Sequence, residues 1–96
     1  MFKVEMTLDG YITRVNAKSL LYSSYSENQI IGSHYTKLLR VRSTLKLKIL
    51  LSKIHDCQTP AHIILLHYDK NGNDIKVEWC VRYSPPLIKL YGIVAR

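Results

Sequence analysis

Apolar residues recur along this chain with two periods, and the change from one to the other marks its elements. Over residues 43–56, Leu47, Leu50, Leu51 and Ile54 fall at i, i+3, i+4 and i+7, which is one stripe of an α-helix. Lys46, Lys48 and Lys53 fall largely off that stripe. Gln58-Thr59-Pro60 ends the element, because proline cannot continue a helix and biases the residue before it toward extended backbone. Beyond it the pattern is that of strands. Residues 61–69 and 74–83 flank Lys70-Asn71-Gly72-Asn73, and Asn-Gly between apolar runs is a strong hairpin signal. Pro85-Pro86 interrupts the chain again, and residues 87–95 supply a last strand.

The first third is more broken. Residues 3–7 and Tyr11-Ile12-Thr13-Arg14-Val15 read as strands around the turn Leu8-Asp9-Gly10, where glycine takes positive φ without steric cost. Asn16 stands where an N-cap is needed ahead of Ala17-Lys18-Ser19-Leu20-Leu21. Ser26-Glu27-Asn28-Gln29 has the S-x-x-Q form of a capping box, so a second short helix starts at Ser26 and stops at Gly32. A third turn of helix covers residues 34–39. Helices this short are unstable alone and must lie against a sheet.

With Asn71-Gly72 as a two-residue loop, antiparallel pairing sets Tyr68, Leu66 and Ile64 opposite Ile75, Val77 and Trp79. The opposite face then carries Ile63, Leu65 and His67 with Lys76, Glu78 and Cys80. The order is strand, strand, three short helices, one longer helix, three strands. That predicts an α+β fold: a five-stranded antiparallel sheet with its helices on one face.

At 96 residues the chain is one domain, 1–96, and its composition (47% hydrophobic, 22% charged) is globular. Its aliphatic runs fall far short of the roughly 20 apolar residues of a membrane span. The N-terminus lacks the basic start and apolar block of a signal peptide. These features predict a cytoplasmic location with no membrane contact in this segment, and Cys57 and Cys80 as reduced structural thiols. Fourteen Lys+Arg against seven Asp+Glu give a net charge of +7, concentrated in Arg40, Arg42, Lys46, Lys48 and Lys53.

The motifs in their order resemble the PAS family, the sensory module of histidine kinases, cyclic-nucleotide enzymes and transcription regulators. The carriers are Asp9-Gly10-Tyr11-Ile12, Asn16 at the end of that strand, and Tyr25-Ser26 followed by Ile30-Ile31-Gly32. Ser24 stands where the family prefers glycine. Lys70-Asn71-Gly72 matches the family's K-D-G hairpin, Ile75-Lys76-Val77-Glu78-Trp79 its alternating strand, and Gly92-Ile93-Val94-Ala95-Arg96 the end of its last strand. In the family that strand leads into D-I-T or D-V-T and a signalling helix, so the resemblance implies a domain excised from a larger protein, with a C-terminal output domain beyond Arg96.

The resemblance also implies that sheet and helices enclose a ligand pocket or a plain core. On the register above, Leu50, Leu51, Ile54, Ile64, Leu66, Tyr68, Val77 and Trp79 face inward as the pocket candidates, and as core residues they need no ligand to explain them. The outer face is more apolar than a solvated face requires, and family members often pair through it. Phe2, Ile63, Leu65 and Cys80 are therefore the candidate residues of a homodimer interface. Covalent flavin chemistry is disfavoured because residues 32–39, where the family's flavin photosensors carry a reactive cysteine, have none. Haem is disfavoured because the family's axial histidine position falls near Leu47. His55 suits the helix C-terminus, and His62 and His67 read as structural; no metal site is predicted. A small apolar or aromatic ligand, or none, remains.

Catalysis is excluded on chemistry: Glu5, Asp9, Glu27, Asp56, Asp69, Asp74 and Glu78 lie mostly in turns and caps, with no nucleophile, base and orienting group among them. Nucleic-acid binding through Arg40, Arg42, Lys46 and Lys48 is the alternative to a sensor. The scattered tyrosines offer it no stacking platform, and a charge run on a helix is usually a solvated face. The reading is a sensory and dimerisation module of a signalling protein.

Overall fold

The computed structural model describes residues 2–16, 27–56, 60–68 and 71–94. Its strands are β1 (Phe2–Thr7), β2 (Ile12–Val15), β3 (Ala61–Tyr68), β4 (Asp74–Ser84) and β5 (Leu87–Val94). Its helices are α1 (Glu27–Ile30), a 3-10 turn (Tyr35–Lys37) and α2 (Val41–Ser52). The strands form one sheet in the order β2-β1-β5-β4-β3, antiparallel throughout. One face packs Val4, Met6, Val77, Trp79, Val81, Ile88 and Leu90 against Leu47 and Leu51 of α2 and Ile54 just beyond its end. The other exposes Lys3, Lys76, Glu78 and Arg82. The predicted architecture is therefore the observed one.

The Asp9-Gly10 turn does more than reverse the chain. Gly10 has φ +92, and a Cβ there would collide with the Tyr35 ring, so both backbone shape and close packing require glycine. The Gly10 carbonyl accepts from Tyr35 N–H at 3.0 Å, and Ile12 N–H donates to the Ser33 carbonyl at 2.9 Å. His34 completes this clamp: its Nε2 lies 2.7 Å from the Asp9 carbonyl and its Nδ1 accepts from Thr36 N–H. Thr13 is the extra residue of a bulge opposite Glu5 and Met6, and its hydroxyl donates to the Glu5 carbonyl. The helix assigned to residues 17–21 and the Ser26 cap lie outside the described residues.

The hairpin of β3 and β4 differs from expectation by one residue. Tyr68 pairs with Asp74, Leu65 with Val77 and Ile63 with Trp79, so residues 69–73 join the strands instead of two. A slip of one moves every side chain of β3 to the other face. Leu65 and His67 are buried and Ile63 packs against the core, whereas Ile64 is exposed and Leu66 and Tyr68 are half-buried on the outer face. β4 has a clear polar face, but β3 is aliphatic at four successive positions, 63–66, so its own pattern accepts either register.

Helix α2 runs from Val41 to Ser52, starting and ending earlier than the 43–56 its stripe suggested, so Ser43 lies inside it. Ser43 Oγ accepts from Leu66 N–H at 2.6 Å, and Lys46 Nζ donates to the Ile64 carbonyl at 2.6 Å. Arg40 N–H donates to the Leu66 carbonyl and Tyr68 N–H to the Leu38 carbonyl. The free edge of β3 is thus occupied by α2 and the segment before it, which blocks another strand from adding there.

Candidate functional site

Between the sheet and α2 lies a small, partly open cavity of about 20 Å³, lined by Met6, Ile12, Leu39, Leu47, Leu65, His67 and Trp79 among others. This is room for about one water molecule. Its walls are aliphatic except for Tyr35 and the place where His67 and Trp79 meet. Trp79 is held there because Gly92, its partner on β5, has no side chain: a Cβ on Gly92 would lie 2.6 Å from Trp79 Cε3. The Phe2 ring packs on the same indole at 6.3 Å between centroids.

Trp79 Nε1–H donates to His67 Nε2 at 2.9 Å. An indole nitrogen can only donate, so Nε2 is the acceptor and the proton of the neutral imidazole sits on Nδ1. Among the described residues that Nδ1–H has no hydrogen-bond partner, although His67 is only 4% exposed. Burial also pushes the imidazole down to about 3, because an imidazolium would lose its hydration without gaining a counter-charge. Tyr35, also on the cavity wall, is shifted up for the same reason. The site is a neutral, apolar chamber with one unsatisfied donor.

Of the eight residues expected inside, Trp79 lines the cavity, while Val77, Leu51 and Ile54 are buried around it and Leu50 packs at the margin. Ile64, Leu66 and Tyr68 belong to the outer face, for the register reason above. Three of the four interface candidates move inward: Leu65 and Phe2 are buried, Ile63 packs on the core, and Cys80 stays on the outer face with a free thiol. Cys57 lies outside the described residues. His67, assigned to the outer face by the two-residue loop, is the residue that sequence reasoning missed. The residue pattern of β3 does not mark it; the five-residue connection, which aligns His67 with Ile75 on the face of Trp79, is seen only in the fold.

The basic run divides in the fold. Arg40 is tied to Asp74, with Nε–Oδ1 at 2.7 Å, and to the Gly72 carbonyl, and it stacks over the Tyr68 ring. Arg42, Lys46, Lys48 and Lys53 are exposed along α2. Leu47, the position near which the family's haem axial ligand falls, is buried in the cavity wall, and His55 packs edge-on against Tyr83. Among the described residues no group of three or more His, Cys, Asp or Glu is placed to hold a metal ion, and no helix is long and apolar enough to cross a membrane.

No family model matches the chain, and no curated protein matches its sequence. Solved structures do match it in fold. The PAS domain of the quorum-sensing receptor RpfR from Cronobacter turicensis, in complex with BDSF, has a TM-score of 0.84 at 14% identity over 98% of this chain and 92% of its own. The PAS-B domain of Drosophila melanogaster Cycle, with bound ethylene glycol, has 0.75 at 15% identity over 99% and 100%. A domain of a sensor histidine kinase/response regulator from Geobacter sulfurreducens has 0.75 at 18% identity over 99% and 82%.

Proposed function

The chain has the PAS fold, and on that premise we propose that it is the sensory module of a cytoplasmic signalling protein, non-catalytic itself, with its stimulus received in the chamber beside His67. The observation that carries this reading is the orphaned His67 Nδ1–H. Buried donors are almost always satisfied, and a core evolved only to pack has no use for one that is not. The chamber calls for an uncharged ligand, mostly apolar, with one acceptor oxygen to meet that N–H. A carboxylate finds no cation among the cavity's lining residues.

Filling the chamber acts on the elements that wall it. Leu47 of α2 and Leu65 of β3 both line it, so a ligand larger than the present room favours an arrangement in which α2 stands away from the sheet. Leu90 of β5 lines it too, which connects it to the last strand and an output module.

The test is a nitrogen-15 NMR titration of the chain with 2-heptanone and, separately, heptanoate, after native mass spectrometry and an absorbance spectrum of the purified protein. The ketone is expected to shift the His67 ring and the Trp79 indole saturably, and heptanoate to leave them in place. Absence of any co-purified mass, together with no saturable shift, refutes the ligand reading.

A second reading, self-association, has its own observation. Ile64, Glu78 and Ile93 form one row across the outer face, and Ile64 and Ile93 are 43% and 54% exposed. Cys80 and Tyr91 fill the next row. A homodimer through this face loses its dimer mass in light scattering when Ile93→Glu is introduced; an unchanged mass refutes it.

A further inference from the structure

Helix α2 carries a second apolar stripe on the side away from the core. Val41, Leu45 and Ile49, spaced by four residues, are 78%, 55% and 56% exposed. They form a ridge about 12 Å long and about 80° wide around the helix axis. Leu47, Leu51 and Ile54 fill the opposite side, so the ridge has no role in the fold already described. Arg42 and Lys53 border the ridge on one side and Lys48 on the other, all exposed. The helix contains no Asp or Glu, its first turn has no acidic residue, and Arg40 supplies no side-chain cap. The positive end of the helix dipole therefore adds to the charge of Arg42, while Asp74, which lines the same furrow, is paired with Arg40.

We propose that this ridge docks an acidic amphipathic helix of a partner protein, with the partner's aliphatic seam on Val41, Leu45 and Ile49 and its carboxylates on Arg42, Lys48 and Lys53. The width of the ridge selects this occupant. A helix that lies in a bilayer surface or packs broadly on a core needs an apolar face of at least about 100°, whereas a seam one residue wide with charges close on both sides is the geometry of helix pairing. A nucleic acid would contact the cations but gain nothing from three aliphatic side chains set between them. A second copy of the chain would bring like charges together, since the chain carries +7 and this helix only cations. A furrow runs along each side of the ridge: Val41, Arg42, Lys46 and Asp74 are among the residues that line one, and Asp9, Thr44, Leu45 and Lys48 among those that line the other.

The probe is a synthetic 21-residue helix with Leu at heptad a and d positions and Glu elsewhere, labelled for fluorescence anisotropy. Binding is expected at 50 mM salt, weakened at least fivefold at 300 mM, with Leu45→Gln costing about tenfold and Lys48→Gln about threefold. Both residues are exposed, so a circular dichroism spectrum and melting midpoint like those of the unaltered chain exclude loss of fold as the cause. A control helix with Ala for Leu is expected not to bind. No binding of the Leu/Glu helix, or binding unaffected by Leu45→Gln, overturns the proposal. So does tighter Leu45-dependent binding to vesicles of anionic phospholipid, or duplex DNA binding that Lys48→Gln weakens and Leu45→Gln does not.

Discussion

Acid should weaken this fold through one residue, His67. In the unfolded chain its imidazole titrates near 6.5, whereas in the fold burial holds it down to about 3. Between those values the unfolded state binds a proton that the folded state refuses, so stability is complete above about pH 6.5 and falls as the pH drops toward 3. Each unit below 6.5 costs about 1.4 kcal/mol, or about 2 kcal/mol by pH 5. With a urea slope of roughly 1–1.5 kcal/mol per M for a chain this short, the midpoint at pH 5 should lie more than about 1 M below that at pH 7.5. The assay is urea unfolding at four pH values in the unaltered chain and in His67→Phe. The phenyl ring keeps most of the volume and leaves Trp79 Nε1–H without its acceptor, which costs about 1–3 kcal/mol at every pH. That offset does not touch the slope. All other titrating groups are shared, so the difference between the two pH profiles isolates His67. Equal slopes in the two proteins would refute the reasoning. In the unaltered chain, a His67 ring NMR signal that titrates above pH 5 would refute it as well.

Three further predictions concern packing and the edge of the sheet. Gly92→Ala forces a methyl group to 2.6 Å from Trp79 Cε3 and 2.8 Å from Val77 Cγ1, so the variant should lose about 1–3 kcal/mol in thermal or urea unfolding; unchanged stability would mean the indole has slack. Gly10→Ala meets both the positive φ and the Tyr35 ring and should cost at least about 1 kcal/mol, with part of that returned when Tyr35→Ala is added. Ser43→Ala removes the acceptor of Leu66 N–H on the β3 edge, which should cost about 1 kcal/mol and speed hydrogen exchange at Leu66 more than at Leu65; equal protection would show that the hydroxyl is dispensable.

The amino-acid sequence by itself determined the order and kind of the elements, because those depend on local chemistry. Asp9-Gly10 and Pro85-Pro86 set the turns, the Leu47, Leu51 and Ile54 stripe set the buried side of α2, and the alternation of Val77, Trp79 and Val81 with Glu78 and Arg82 set the faces of β4. Only the tertiary structure decided which face of β3 points inward. Residues 63–66 are aliphatic on both sides, so burial alone does not distinguish two registers one residue apart, and the choice rests on the length of the 69–73 connection and on the bond from Trp79 to His67. That choice moved Ile64, Leu66 and Tyr68 out of the interior and put a histidine into it.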